Sequence, residues 1–203
     1  MTPLINIKNL KKYFSQNDKT LKAIDDVSLE IFQGETLGLV GESGCGKSTL
    51  GRILLRMLHP TSGEILFEGK NILEFPAKKL QQFRKETGII FQDPYASLDP
   101  RMTASDIIAE HLDVHKICRG LEREKRIEEL IHLVGLNSNH VSRFPHEFSG
   151  GQRQRLGIAR ALAANPRFII CDEPISALDV SIQAQIINLL KNLQKERLRF
   201  QHI

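Results

Sequence analysis

The run Gly41-Glu42-Ser43-Gly44-Cys45-Gly46-Lys47-Ser48-Thr49 fits the pattern G-x-x-x-x-G-K-[ST]. Glycines allow successive backbone N–H groups to close around phosphate oxygens with no Cβ in the way. Such a loop suits a nucleoside triphosphate, with Lys47 reaching the β- and γ-phosphates and the Ser48 hydroxyl holding Mg²⁺. A helix that begins under the phosphates turns its positive end toward their charge. Both flanks agree with this chemistry. Thr36-Leu37-Gly38-Leu39-Val40 reads as a short strand before the loop, and Leu50, Ile53, Leu54, Leu55 and Leu58 trace a helix after it.

Two further groups lie more than a hundred residues downstream. The apolar strand Phe168-Ile169-Ile170-Cys171 delivers Asp172 and Glu173 at its C-terminal end, the edge where parallel α/β sheets bind ligands. Alone, such a pair is often a helix cap. Coupled to the phosphate loop, Asp172 reads as a partner of Mg²⁺ and Glu173 as a general base for water. Phe148-Ser149-Gly150-Gly151-Gln152 is a second glycine-rich helix start, with Ser149 placed to cap it. One chain has one triphosphate to bind, so this second start fits the nucleotide of another copy or a related subunit.

These groups need elements to carry them. Leu4 to Leu10 and Ala23 to Ile31 alternate apolar and polar residues, the period of half-exposed strands, with a polar loop from Ser15 to Lys19 between them. Further strands are expected at Glu64 to Phe67 and Gly88 to Phe91, with a short helix from Ala77 to Arg84. From Asp93 to Asn165 helical spacing takes over, in Ile107, Ile108, His111 and Leu112, then Ile127, Leu130, Ile131 and Val134, then Leu156, Ile158, Ala159 and Leu162. A last amphipathic helix runs from Val180 to Glu196. The reading is an α/β fold: a nucleotide-binding core with a mixed sheet from residues 1–92 and 166–203, and an inserted helical subdomain from 93–165.

Composition agrees with one soluble α/β domain: 203 residues, 41% hydrophobic and 26% charged. No run matches a membrane span or a signal peptide, and Cys45, Cys118 and Cys171 lack C-x-x-C spacing, which suggests thiols in a reducing compartment. A net charge of +4 permits an anionic partner without choosing one. Tyr13, by position alone, reads as a packing aromatic. His111 and His115 have i, i+4 spacing, but no third ligand is suggested and a solvated helix face is expected.

In these ordered motifs the chain resembles the ATP-binding subunits of ABC transporters, from about Leu4 to Gln194. Phe148 to Gln152 matches the family signature, with Phe148 where leucine is usual. The resemblance implies a P-loop NTPase core with the helical insertion, ATP and Mg²⁺ as ligands, and ATP hydrolysis with Glu173 as the base. It gives Tyr13 the aromatic position that stacks on adenine, Gln92 the glutamine that contacts Mg²⁺, and Asp179 the aspartate of the dimer interface. It assigns Ser149, Gly150, Gly151 and Gln152 to the ATP held by the partner. The wording of Phe91-Gln92-Asp93-Pro94-Tyr95-Ala96-Ser97-Leu98-Asp99-Pro100-Arg101 and of Arg143-Phe144-Pro145-His146-Glu147 is similar to the dipeptide and oligopeptide importers. That group implies a second ATPase subunit, membrane permease subunits, an indirect link to a substrate-binding protein, no nucleic acid, and a peripheral place on the cytoplasmic side of the membrane.

The resemblance fails at the tail. Gln194 to Ile203 is too charged and too short for the family's further apolar strand with its histidine, and His202 is not assigned that role. The expectation is a truncated cassette that binds nucleotide with weak or absent turnover, since losing one charge-stabilising group commonly costs ~10² to 10³ in rate. Two alternatives stay open: a remnant that binds nucleotide without hydrolysing it, and a non-transport ATPase of the same class acting on DNA.

Overall fold

The alternation that begins near Leu4 produces a long hairpin. In the computed structural model, which describes residues 2–16, 19–176 and 178–197, β1 (Ile5–Gln16) pairs antiparallel with β2 (Lys19–Ile31), Ile5 opposite Ile31 and Gln16 opposite Lys19. The polar loop expected from Ser15 to Lys19 is therefore shorter than its composition suggests. Ser15, Gln16 and Lys19 belong to the ladder; Ser15 and Lys19 are exposed, and backbone pairing tolerates polar residues at such positions. The other edge of β1 takes β3 (Ser62–Phe67), and β4 (Lys70–Asn71) completes the order β2-β1-β3-β4. Ile5, Ile7, Leu10, Ile24, Ile31 and Ile65 are buried from this sheet.

The chain divides into two units, and residues 2–84 form the first. Its phosphate-loop helix, α1 (Lys47–Leu54), packs against β2 and buries Leu50, Ile53 and Leu54. It is shorter than the apolar stripe implied: Leu55 is its C-cap, Arg56 follows at φ 56°, and Leu58 lies beyond the helix. The helix α2 (Ala77–Glu86) contributes Phe83, whose ring meets Phe67 edge-on at 5.2 Å between centroids.

The strand expected from Thr36 to Val40 does not form. Thr36 makes a single β-bridge, residues 37–40 have no regular structure, and Val40 is 100% exposed. A strand exists by pairing as well as by composition. Among the described residues, neither the four-stranded sheet nor the two-stranded one extends a ladder to residues 37–40.

In the second unit β5 (Thr87–Ile90) and β6 (Phe168–Cys171) pair in parallel, Thr87 opposite Phe168 and Ile90 opposite Cys171. Between them residues 93–165 contain no strand, as the helical spacing predicts. They form α3 (Ala104–Val114), α4 (Gly120–Leu133) and α5 (Gly150–Leu162). Ile107, Ile108, Leu130, Ile131, Leu156 and Ile158 from these helices share one core with Ile169 of β6. The helix α6 (Val180–Arg197) adds Ile186 and Leu193 to it. Residues 198–203, including His202, and Ala177 lie outside the described residues. Among those described, no helix is long and apolar enough to cross a membrane.

Candidate functional site

The phosphate loop lies in the first unit and opens onto solvent. Residues 41–45 are exposed and Gly46 to Thr49 are half-buried. Gly46 is the N-cap of α1 at φ 103°, in the left-handed region, and no side chain caps the helix there. A Cβ at Gly46 would stand 2.2 Å from the carbonyl oxygen of Ala23 on β2, so only glycine fits. Lys47 bends back over the loop, its Nζ donating to the carbonyls of Gly41 and Glu42 at 2.8 Å each, with Cys45 Sγ at 3.8 Å. A cation thus sits over two loop carbonyls, at the head of a helix whose positive end faces the loop. That arrangement suits an anion with several oxygens.

Tyr13 lies on β1 in the same unit. Its N–H donates to Thr61 Oγ1 at 2.9 Å, and its strand partner is Lys22. The phenol donates to Asp25 Oδ1, and Lys22 Nζ reaches the other oxygen at 3.1 Å while standing 5.4 Å from the ring centroid. The phenol bond, then the Lys22 ammonium, hold the Asp25 carboxyl below its ordinary range, and the same bond raises the Tyr13 hydroxyl. Asp25 and Lys22 were not legible as site residues. An exposed acid and an exposed lysine on a strand read as a solvated face, and only the register of the hairpin brings them to Tyr13.

In the second unit, the acids follow β6 as the sequence predicts. Asp172 donates its N–H to Ile90 O at 2.9 Å, continuing the parallel ladder by one rung. Glu173 turns away at φ 46°, a left-handed conformation unusual for a side-chain-bearing residue. Its Oε2 accepts from Gln92 Nε2 at 2.8 Å, so two residues singled out separately in the sequence, 81 positions apart, meet side chain to side chain. The chain then turns through Ser176, whose N–H and hydroxyl both donate to Glu173 O.

Asp179 caps α6. Its Oδ1 accepts from the Ile182 N–H at 3.0 Å and from Ser181 Oγ at 2.7 Å, and these bonds, the amide first, hold its carboxyl below the ordinary range. Gln183 ties the preceding loop down through Nε2, which donates to the carbonyls of Ile175 and Leu178. The glycine-rich start of α5 is closed by its own side chains: Ser149 Oγ accepts from Gln152 N at 3.3 Å and Gln152 Oε1 accepts from Ser149 N at 2.9 Å. Gly150 and Gly151 lie on the side of α5 that meets Leu178 and Ile182. Phe148 is 2% exposed and packs its ring against His140.

His111 and His115 are half-buried rather than solvated, with ring centroids 6.0 Å apart, and burial is the main cause of the lowered pKa of each. Among the described residues no cluster of three or more His, Cys, Asp or Glu could hold a metal ion without other donors. Burial pushes the Cys171 thiol up to about 12; its sulfur is enclosed although the residue keeps some exposed surface.

A phosphate loop with a mixed α/β framework defines a P-loop nucleotide-binding cassette. Residues 24–176 match the family model for ABC transporters, and the chain belongs to the ABC transporter family. Among curated relatives, it is 61% identical to the oligopeptide transport ATP-binding protein OppF of Bacillus subtilis over 196 residues, covering 96% of this chain and 64% of that protein. It is 54% identical to the dipeptide transport ATP-binding protein DppF of Lactococcus lactis over 202 residues, covering 97% of this chain and 65% of that one. The chain thus spans just under two thirds of the length of these relatives. Among solved structures, an ATP-binding cassette in a dimeric, post-hydrolysis state with ADP and Pi superposes with a TM-score of 0.88 at 32% identity, covering 98% of this chain and 86% of that one. The CbiO1 protein of Clostridium perfringens, part of an ABC transporter complex, gives 0.81 at 29% identity, covering 100% of this chain and 78% of that one.

Proposed function

We propose that this chain is the ATP-binding part of an importer for peptides or a related small solute, binding MgATP and hydrolysing it to drive transport. The observation that carries the reading is the phosphate loop, with Lys47 folded over the carbonyls of Gly41 and Glu42 at a helix start that no side chain closes. In this reading Gly41 to Thr49 hold the triphosphate and Tyr13 faces the adenine. Ser48, Gln92 and Asp172 offer oxygen donors of the hard type Mg²⁺ prefers, and the ion when bound neutralises phosphate charge. Glu173 takes the proton of the attacking water, and Gln92 holds its carboxylate beforehand. Residues 1–92 with 166–203 serve as the nucleotide core and 93–165 as the helical subdomain.

Ser149, Gly150, Gly151 and Gln152 address the ATP of a second ATPase subunit, with Asp179 at that interface. Membrane permease subunits complete the assembly, with this chain peripheral on the cytoplasmic side of the membrane, and a substrate-binding protein is linked to it indirectly. The oligopeptide and dipeptide transport roles of the OppF and DppF relatives support peptides as the cargo.

The test pairs two measurements on the purified chain. ATP is expected to bind in the presence of Mg²⁺ and to be lost in Lys47→Ala, and phosphate release is expected to fall ~10²-fold or more in Glu173→Gln. Binding without any release of phosphate would leave a nucleotide-binding module and remove the enzyme. Failure of ATP to bind at all would remove the whole reading.

A further inference from the structure

We propose that Asp25 and Lys22 are positioning residues for the Tyr13 ring, setting the plane against which the base of a bound nucleotide lies. The proposal rests on the reading above in which Tyr13 faces the base. Three contacts fix the residue. Its backbone N–H is bonded to Thr61 Oγ1, its hydroxyl donates to Asp25 Oδ1, and the Lys22 ammonium stands over the ring at 5.4 Å. Lys22 is itself held by Asp25 Oδ2 at 3.1 Å, so one carboxylate organises both ends of the arrangement. A phenol pinned at its far end loses the ring rotations that a strand residue would otherwise keep. With a cation over one face of the ring, a planar base must use the other.

The same strand also supports the phosphate loop. Ala23 lies between Lys22 and Asp25 on β2, and its carbonyl oxygen fills the place where a Cβ of Gly46 would be. Ile24 Cγ1 stands 3.8 Å from that same position. The stretch of β2 that anchors the ring therefore abuts the residue that opens α1, and all of it lies within the first unit. Base platform and phosphate loop are held in one register by consecutive residues, a form of preorganisation that favours a ligand of matching length. An exposed Lys22–Asp25 pair taken alone is the kind of surface ion pair that contributes little. What distinguishes it here is the aromatic hydroxyl and ring that it grips.

The test compares ATP with inorganic tripolyphosphate, both with Mg²⁺, on the full chain by titration calorimetry. Tripolyphosphate has no base and reports on the loop alone. Tyr13→Ala should weaken ATP roughly tenfold, as loss of a stacking surface does, and leave tripolyphosphate unchanged. Asp25→Ala should weaken ATP about threefold, the scale of one hydrogen bond, again sparing tripolyphosphate. Asp25→Asn keeps an oxygen that accepts from the phenol and should restore most of the affinity. Tyr13→Phe removes the phenol bond but leaves Lys22 held by Asp25, so it should weaken ATP no more than Asp25→Ala does, and the double variant should be no worse than Asp25→Ala alone.

If Tyr13→Ala weakens ATP while Asp25→Ala does not, the positioning role is wrong and the base reading stands. If Asp25→Ala weakens ATP and tripolyphosphate equally, Asp25 supports the loop rather than the ring, which also overturns the proposal. Additive effects of Tyr13→Phe and Asp25→Ala do the same. If Tyr13→Ala leaves ATP affinity unchanged, the base reading and the proposal fall together.

Discussion

The helix starts at Gly46 and Ser149 share glycine-rich wording and differ in how they are closed. At Gly46 the chain arrives in a left-handed conformation, no side chain caps the helix, and Lys47 folds over the loop carbonyls. At Ser149 the chain arrives extended and a reciprocal pair of bonds between Ser149 and Gln152 closes the first turn. The first start has no side-chain cap at its anion-directed end, as the proposed phosphate site requires. The second satisfies part of its own need. Steric demand differs as well, since a Cβ at Gly46 would strike backbone whereas one at Gly151 would strike the Ile182 side chain. Glycine alone thus says little about binding; what surrounds its missing Cβ, and whether a neighbour caps the turn, says more.

The contrast breaks most sharply at Gly46. Gly46→Ala adds left-handed strain of about 1–3 kcal/mol to a 2.2 Å encounter with Ala23 O. ATP binding should disappear in a calorimetric titration, and the chemical-denaturation midpoint should drop. Gly44→Ala separates strain from collision in the same denaturation series: its φ of +81° brings strain of ~1–2 kcal/mol, no neighbouring atom lies within 4 Å of the added Cβ, and its midpoint should drop less than that of Gly46→Ala. If Gly46→Ala binds ATP like the unaltered chain, the first start is not a phosphate site and the contrast is empty. A smaller effect is expected at the second start. Gly151→Ala places a Cβ 2.7 Å from Ile182 Cγ2, an overpacking worth about 1–3 kcal/mol, with ATP binding by the isolated chain retained. Gly150→Ala, whose nearest neighbour is Leu178 Cδ2 at 3.5 Å, should stay within about 0.5 kcal/mol in the same melts. Equal stability of the two would mean that α6 does not crowd the second start.

What was legible in advance follows the range of the forces involved. The cap at Ser149, the strand from Phe168 to Cys171 and the helix from Val180 rest on local periodicity and on a side chain bonding three residues ahead, and the structure has all three. The stretch from Thr36 to Val40 carries the right composition for a strand, but composition cannot supply a neighbouring ladder, and Val40 stands in solvent. The hairpin tip was misjudged for the opposite reason, since Ser15 and Lys19 look like loop and are paired. Asp25 on Tyr13 and Gln92 on Glu173 were invisible as contacts because each depends on register between distant segments. The residues of the phosphate loop were the easiest to find, because their types and spacing form one local pattern, even though the demand for glycine at Gly46 comes from the Ala23 carbonyl of a distant strand.

Ser149→Ala tests the closed start directly. It should lower stability by about 1 kcal/mol, the usual worth of such a cap, and the melting temperature by about 2–4 °C. Ser149→Asp should recover most of this. No loss at all would mean that the bond from Gln152 N adds nothing, and the two starts would then differ only in shape.

A more gradual effect is a pH dependence that originates in the second unit. His111 is held below its ordinary pKa by burial first, then by the nearby charges of Arg160 and His115, with Glu110 opposing. His115 is lowered by burial and Lys85, and His140 by burial and Arg143, so all three shifts share one sign. A histidine that resists protonation when folded is protonated first in the unfolded chain, so the unfolded state takes up protons as pH falls below about 6.5. Stability should therefore be level from about pH 6.5 to 8, below the range where an unfolded Cys171 ionises, and decline from pH 6.5 toward the lower folded pKa values. For His111 the slope cannot exceed about 1.4 kcal/mol per pH unit. The lowered carboxylates do not interfere in this window: Asp99, held by Arg101, titrates near about 2, and unfolded aspartates near about 3.9. Urea melts at pH 7.5, 6.5 and 5.5 should show the decline, and His111→Gln should lessen it while His115 and His140 keep the remainder, whereas an unchanged midpoint across the series would mean that these histidines charge as freely in the folded chain as in the unfolded one.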